Sequence, residues 1–200
     1  WLSNTDVCTW FGITCDGNGN VKMLHLNNNN LIGSIPNNFT NIVSQLQELD
    51  FSYNNLTGTI PATFGLYPGL NRLILKNNKL RGPVPSFNHQ KTSFLDHLDL
   101  SSNQLSGTLP SFDKLILFSW FDLSSNMLEG TTPTLRTTPQ AYINLSNNKL
   151  SGGVDWPTSF SAAKINLSRN EFDGIFWMPV AGDLKEFDIS HNKFTKFYTL

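Results

Sequence analysis

Two hundred residues with a formal net charge of −1 and only 14 % charged side chains give no electrostatic reason to expect nucleic acid or an anionic membrane as partner. No stretch approaches the roughly 18 consecutive apolar residues that a membrane helix needs. The chain opens at Trp1 without a Met, a basic n-region or an apolar h-region, so it reads as processed or as a fragment.

Residues 1–22 hold both cysteines, Cys8 and Cys15, and differ in pattern from the rest of the chain. From residue 23 one frame recurs eight times. Its clearest copy is Leu98-Asp99-Leu100-Ser101-Ser102-Asn103-Gln104-Leu105-Ser106-Gly107-Thr108-Leu109-Pro110, or LxLxxNxLxGx[IVL]P. The fixed asparagine falls at Asn29, Asn54, Asn78, Asn103, Asn126, Asn148, Asn170 and Asn192, at spacings of 25, 24, 25, 23, 22, 22 and 22 residues. So regular a period marks a solenoid, whose units bury their apolar face only by stacking on neighbours. One elongated eight-repeat domain over 23–200 is expected.

Each letter of the frame has a physical role. In LxL the apolar residues alternate with a polar one, the period of a strand with one buried face, so Leu24/Leu26, Leu49/Phe51, Leu73/Leu75 and Ile165/Leu167 should point inward. Seven steps between such parallel strands, at roughly 4.8 Å each, span on the order of 35 Å and create an extended concave surface. The Asn amide can donate to and accept from the backbone of the next coil, forming a ladder. The Gly four residues later (Gly33, Gly58, Gly82, Gly107, Gly130, Gly152, Gly174) permits backbone angles or a close approach that a side chain forbids. Pro36, Pro61, Pro85, Pro110 and Pro133 fix an extended conformation after it.

Leu31-Ile32-Gly33-Ser34-Ile35-Pro36 and Leu56-Thr57-Gly58-Thr59-Ile60-Pro61 resemble the plant-type leucine-rich repeat, LxxLxLxxNxLxGxIP. The resemblance implies an α/β-type repeat solenoid, a superhelix with a parallel β-sheet on its concave face and a second extended ladder beside it. Cys8-Thr9-Trp10-Phe11-Gly12-Ile13-Thr14-Cys15 resembles the CxWxGVxC stretch of that family's N-terminal cap, with Ile13 for the usual Val. Residues 1–22 are then a cap remnant, with Trp10 and Ile13 over the first apolar face and a Cys8–Cys15 disulfide formed in an oxidising compartment. A helix usually precedes that stretch, and its absence suggests truncation. A pair of free buried thiols is the alternative.

Repeats one to four hold the frame closely, and their linking stretches carry Phe39, Phe64, Phe87 and Phe112, expected to stack inside the convex side. From repeat five the frame decays: Phe121 replaces the first Leu, Thr132 replaces the Ile before Pro133, and the linking segment Thr134 to Pro139 shortens the period. Repeats six to eight lose the proline, and repeat eight places Lys196 in the Gly slot. No paired-cysteine cap follows Asn192, so the stack either ends on Phe194, Phe197, Tyr198 and Leu200 or continues in a longer parent.

No catalytic constellation emerges. His25, His89, His97 and His191 lack metal-ligand spacing, and three of them (25, 97 and 191) take solvent-facing strand positions. Asp50, Asp99, Asp122 and Asp188 share the slot between the two core apolars and read as structural or solvated. No enzyme activity, metal or cofactor is expected. The concave slots, six, four, two and one residues before each Asn, hold mostly small polar residues; the exceptions are Met23, His25, Tyr53, Arg72, Ile74, Lys76, His97, Trp120 and Tyr142. Aromatics and Arg are enriched at interface hot spots, which makes Tyr53, Arg72, Ile74, Lys76, His97, Trp120 and Tyr142 the candidate ligand site, with Tyr53-Ile74-His97-Trp120-Tyr142 as its diagonal. Strand frames also favour aromatics, so a purely structural role stays open.

Sequons occur at Asn38, Asn55, Asn144 and Asn166. The frame puts Asn38 and Asn55 away from the strands, and Asn144 and Asn166 side by side on the concave face, where N-linked glycans would close it from repeat six onward. Drift from Asp to Asn in a Leu-Ser frame would create the latter two by accident. The resemblance implies an extracellular recognition module that binds a protein, peptide or glycan ligand through its concave face. The alternative is a structural module of an extracellular matrix or surface fibre, self-associating end to end.

Overall fold

The computed structural model describes residues 6–37, 45–87, 94–112, 115, 118–154, 161–178 and 184–199. The LxL stretches form short strands that stack in chain order into one sheet: β1 (Ile13–Cys15), β2 (Val21–His25), β4 (Glu48–Asp50), β6 (Arg72–Ile74), β8 (His97–Asp99), β10 (Phe118–Asp122), β12 (Thr137–Asn144), β14 (Lys164–Asn166) and β16 (Glu186–Asp188). β1 runs antiparallel to β2 and every later pair is parallel. A second ladder lies beside it, in three pieces. β3 (Ile32–Ser34) pairs with β5 (Asn55–Thr57); β7 (Arg81–Gly82), β9 (Gln104–Thr108), β11 (Met127–Gly130) and β13 (Lys149–Leu150) follow one another; and β15 (Ile175–Met178) pairs with β17 (Lys196–Thr199).

The inward pairs are where the alternation places them: Leu49, Leu73, Leu75 and Leu167 are fully buried, and Leu26 packs against the same core. Phe64, Phe87 and Phe112 are buried on the convex side, with the Phe87 and Phe112 rings stacked 6.5 Å apart. Phe39 lies outside the described residues. Repeat five replaces leucine by an aromatic cluster, Phe118 and Phe121 meeting edge to face at 4.8 Å.

The asparagine ladder exists, but it points the other way from the expectation. Asn54 donates from Nδ2 to Leu26 O of the preceding coil at 2.9 Å, and accepts on Oδ1 from Leu31 N–H at 3.0 Å. Asn78, Asn103, Asn126, Asn148, Asn170 and Asn192 repeat that backward reach. The reason lies in the strand. The Leu26 amide already bonds forward to Asp50 O, so the Leu26 carbonyl also faces the next coil, and the chain turns away before a strand partner can meet it. The turn is made by the residue before each ladder Asn: Asn28, Tyr53, Asn77, Ser102, Ser125, Asn147, Arg169 and His191 all have φ between 54° and 58°.

The repeat glycines serve two ends. Gly58 is left-handed at φ +79°, whereas Gly174 has ordinary angles and is needed for contact, because a Cβ there would lie 2.5 Å from Gly153 N.

The described linking segments contain no α-helix, only 3-10 turns at Val7–Thr9 and Ala62–Leu66, so the solenoid is a β-solenoid with little helix. Such links are too short to offset the cost of helix nucleation. In coil six the linking segment joins the sheet: β12 begins at Thr137, and the register slips between Phe118↔Thr137 and Trp120↔Tyr142, a bulge that accommodates Pro139. At the other end Cys8 and Cys15 are disulfide-bonded, Trp10 is half-buried, and Ile13 packs against the core.

Replacing Asn78 by Ala orphans the Leu56 N–H and removes the donor that reaches Phe51 O from the next coil, leaving that carbonyl the Asn54 amide of its own coil, and should lower unfolding stability by about 1–3 kcal/mol. Among the described residues Asn29 bonds only to its own coil, at Leu26 O and Asn27 O, so Asn29→Ala should cost well under half as much. Urea titration of the two variants checks the contrast; equal losses would mean that the reach between coils contributes nothing.

Candidate functional site

Parallel pairing without a register shift aligns equivalent slots into rows. The residues six before each ladder Asn form an outer row on the solvent face: Glu48 is opposite Arg72, Arg72 opposite His97, then Trp120, Tyr142, Lys164 and Glu186 in turn. The residues four before form an inner row, running from His25 through Asp50, Ile74, Asp99, Asp122, Asn144 and Asn166 to Asp188.

Three of the expected ligand residues become a single object in the outer row. His97 stacks on Trp120 at 5.5 Å and 10°, and Trp120 on Tyr142 at 4.2 Å and 24°. The stacking covers both faces of Trp120 and one face each of His97 and Tyr142. Among the described residues the buried Trp120 indole N–H has no hydrogen-bond partner. Arg72 adjoins His97 and is held by Glu48 at 3.5 Å, Glu48 also meeting His25 Nε2 at 3.3 Å. At the far end Lys164 pairs with Glu186. The row therefore reads acid, base, three rings, base, acid.

The expected diagonal does not form. Tyr53 sits in the left-handed turn, off the strand, with Lys76 Nζ 5.9 Å from its ring centroid, and Ile74 belongs to the inner row between Asp50 and Asp99. His191 likewise lies in a turn and not on a strand. Glu48, Lys164 and Glu186 are part of the row and were missed by sequence reading, although their position six residues before Asn54, Asn170 and Asn192 marks them.

The aspartates of the inner row are structural. Asp99 and Asp122 are buried, and each accepts on Oδ1 from the backbone N–H and hydroxyl of the Ser two residues on, at 2.6 Å from the hydroxyl. Burial raises the Asp122 pKa, with the neighbouring Asp99 charge adding to it against the Ser124 hydrogen bonds. Burial, then the Arg72 charge, lower that of His97; burial raises that of Tyr142.

Asn144 takes the same slot, accepting from Ser146 and donating to the Tyr142 hydroxyl at 3.0 Å. It is only 9 % exposed, so a glycan there would have to break those bonds, whereas its neighbour Asn166 is half-buried. Asn55, expected away from the strands, opens β5 and is half-buried, because the second ladder starts directly after the ladder Asn. Asn38 lies outside the described residues. No group of three or more metal-liganding side chains occurs among the described residues, nor any helix long and apolar enough to cross a membrane.

A leucine-rich repeat family model matches residues 19–80, and a second one residues 94–115. Receptor-like protein 50 of Arabidopsis thaliana is 41 % identical over 75 residues, 36 % of this chain and 8 % of that protein; the chain thus matches less than a tenth of the relative's length. Among solved structures, a plant ice-binding protein is similar with a TM-score of 0.78 at 27 % identity, over 96 % of this chain and 72 % of that one. The plant peptide hormone receptor RGFR1, solved in complex with RGF2, is similar with a TM-score of 0.53 at 25 % identity, over 84 % of this chain and 36 % of that one.

A raised carboxylate pKa means that the folded state takes up the Asp122 proton more readily than the unfolded chain, so the residue favours folding at low pH and this contribution is lost as pH rises through its folded pKa. Asp122→Asn, an exchange already present at Asn144 and Asn166, should therefore raise the thermal midpoint at pH 7 and lose that advantage below the ordinary carboxylate range. Melting curves across pH check it; a variant less stable at pH 7 would contradict the assignment.

Proposed function

The chain belongs to the plant-type leucine-rich repeat proteins, and from that premise we propose that it is an extracellular recognition module which takes a protein or peptide ligand along the strip formed by His97, Trp120 and Tyr142. The observation that carries this reading is the run of three stacked rings on a solvent-facing row. With Trp120 covered on both faces, a ligand there finds no open indole face of the kind sugars lie on, while the Tyr142 hydroxyl and the flanking Arg72 and Lys164 suit carbonyl and carboxylate oxygens. Arg72 and Lys164 bracket the rings four strand steps apart, about 19 Å, the reach of an extended segment of roughly six residues. The peptide complex of RGFR1 supports a peptide occupant over a glycan. N-linked sugar on Asn55 would leave the strip open, because Asn55 lies in the second ladder.

A second reading draws on the likeness to a plant ice-binding protein. Thr57 in β5 and Thr108 in β9 are exposed on the second ladder, and Thr59 just beyond β5, so hydroxyls and methyls recur on that flank on either side of Arg81 in coil three. Faceted ice crystals grown in the presence of the protein would support it; plain discs would remove it.

For the first reading, Trp120→Ala should abolish or weaken by about tenfold or more the binding of extended peptides selected on the wild-type protein from an array, as expected for a hot-spot aromatic. It should also remain folded. A stability loss above about 3 kcal/mol, the scale of a large-to-small core substitution, or unchanged peptide binding, would dispose of the strip as the site.

A further inference from the structure

On the flank away from the ring strip, the second ladder holds a shallow cavity of about 290 Å³ between the first three coils, lined by Ser34, Ile35, Pro36, Asn37, Gly58, Thr59 and Arg81. It is open because Gly58 is bare: a Cβ there would lie 2.9 Å from Ser34 Cβ. Arg81 is anchored by its backbone, its N–H donating to Gly58 O at 2.8 Å, which sets its side chain at the cavity wall. Among the described residues its guanidinium joins no ion pair, in contrast to Arg72, Lys164 and Lys193.

Lys79, two residues before it and so on the same face, is exposed and also without an ion pair among the described residues. Around them the outward positions of coils two to four are neutral, namely Asn55, Thr57, Thr59, Gln104, Ser106 and Thr108. Further along the flank, cations and acids alternate, with Lys193 held by Glu171 at 3.6 Å. The cationic excess is thus local to the cavity.

We propose that this cavity is an anion site that receives a carboxylate side chain of an acidic peptide segment, Arg81 meeting it with two parallel N–H donors and Lys79 meeting a second acid nearby. The planar five-donor fork of Arg matches a carboxylate bidentately, and the Ser34 and Thr59 hydroxyls supply further donors. Among the described residues no aromatic lines the cavity, so an acidic sugar would lack the stacking platform a ring face uses there, and Ile35 and Pro36 suit the aliphatic stem of Glu. The site is independent of the ring strip, so a partner could engage it whether or not the concave face is occupied.

The test is an amide NMR titration of the whole chain with a Glu-rich decapeptide, a matched Gln-rich decapeptide and oligogalacturonate. The Glu peptide should give saturable shifts at Ser34, Thr59 and Arg81, weakened about tenfold by Arg81→Gln and abolished near 1 M salt, where screening falls to about 3 Å. The shifts at Ser34, Thr59 and Arg81 should saturate independently of any at His97, Trp120 and Tyr142, which separates this site from the concave one. Three outcomes would overturn the proposal: shifts retained in Arg81→Gln, equal shifts with the Gln peptide, or saturation by oligogalacturonate but not by the Glu peptide.

Discussion

The solenoid depends on one recurring problem of the backbone. Each strand ends on a carbonyl that faces the next coil after the chain has already turned away, and inside a stack no water can reach it. The amide of the ladder Asn resolves this for Leu26, Phe51, Leu75, Leu100, Leu123, Leu145 and Leu167, and its oxygen takes the N–H just beyond the turn. An Asn is the one small side chain that both donates and accepts with this reach; Asp has no N–H to offer.

That arrangement also explains a conformation the chain adopts at every coil. Left-handed φ is costly for side-chain-bearing residues, yet Tyr53, Arg169 and His191 adopt it as readily as Asn28 does. The strain persists because sheet pairing before the turn and the Asn amide after it determine the path on both sides. The turn then takes its side chain off the strand, so the stacked rings occupy slots further back.

Once the coils are in register, function becomes a matter of rows. Slots separated by more than twenty residues in sequence become neighbours at strand spacing, and a ring at one slot needs a ring in the same slot of the next repeat to build a stack. His97, Trp120 and Tyr142 meet that condition because the slip between β10 and β12 falls before Trp120, and pairing is in register from Trp120 onward. The inner row underneath is occupied by side chains that satisfy their own coil, as Asp99 does with Ser101, which keeps them from serving a ligand.

How much of this the sequence determined depends on what is local and what is periodic. The repeat spacing and the alternation of apolar residues determined the stacked parallel strands, the buried Leu and Phe positions, and the placing of Trp120, Tyr142 and Arg72 on the solvent face, because strand alternation is a property of neighbouring residues. Tertiary structure decided the direction of the Asn reach, which depends on where an orphaned carbonyl of another coil points. It decided that Tyr53 and His191 leave the face, since the left-handed turn is set by pairing on both sides of it. It also decided the bulge in coil six and the cavity beside Arg81, because each arises where one coil is laid against the next, and no single repeat contains the atoms that make it.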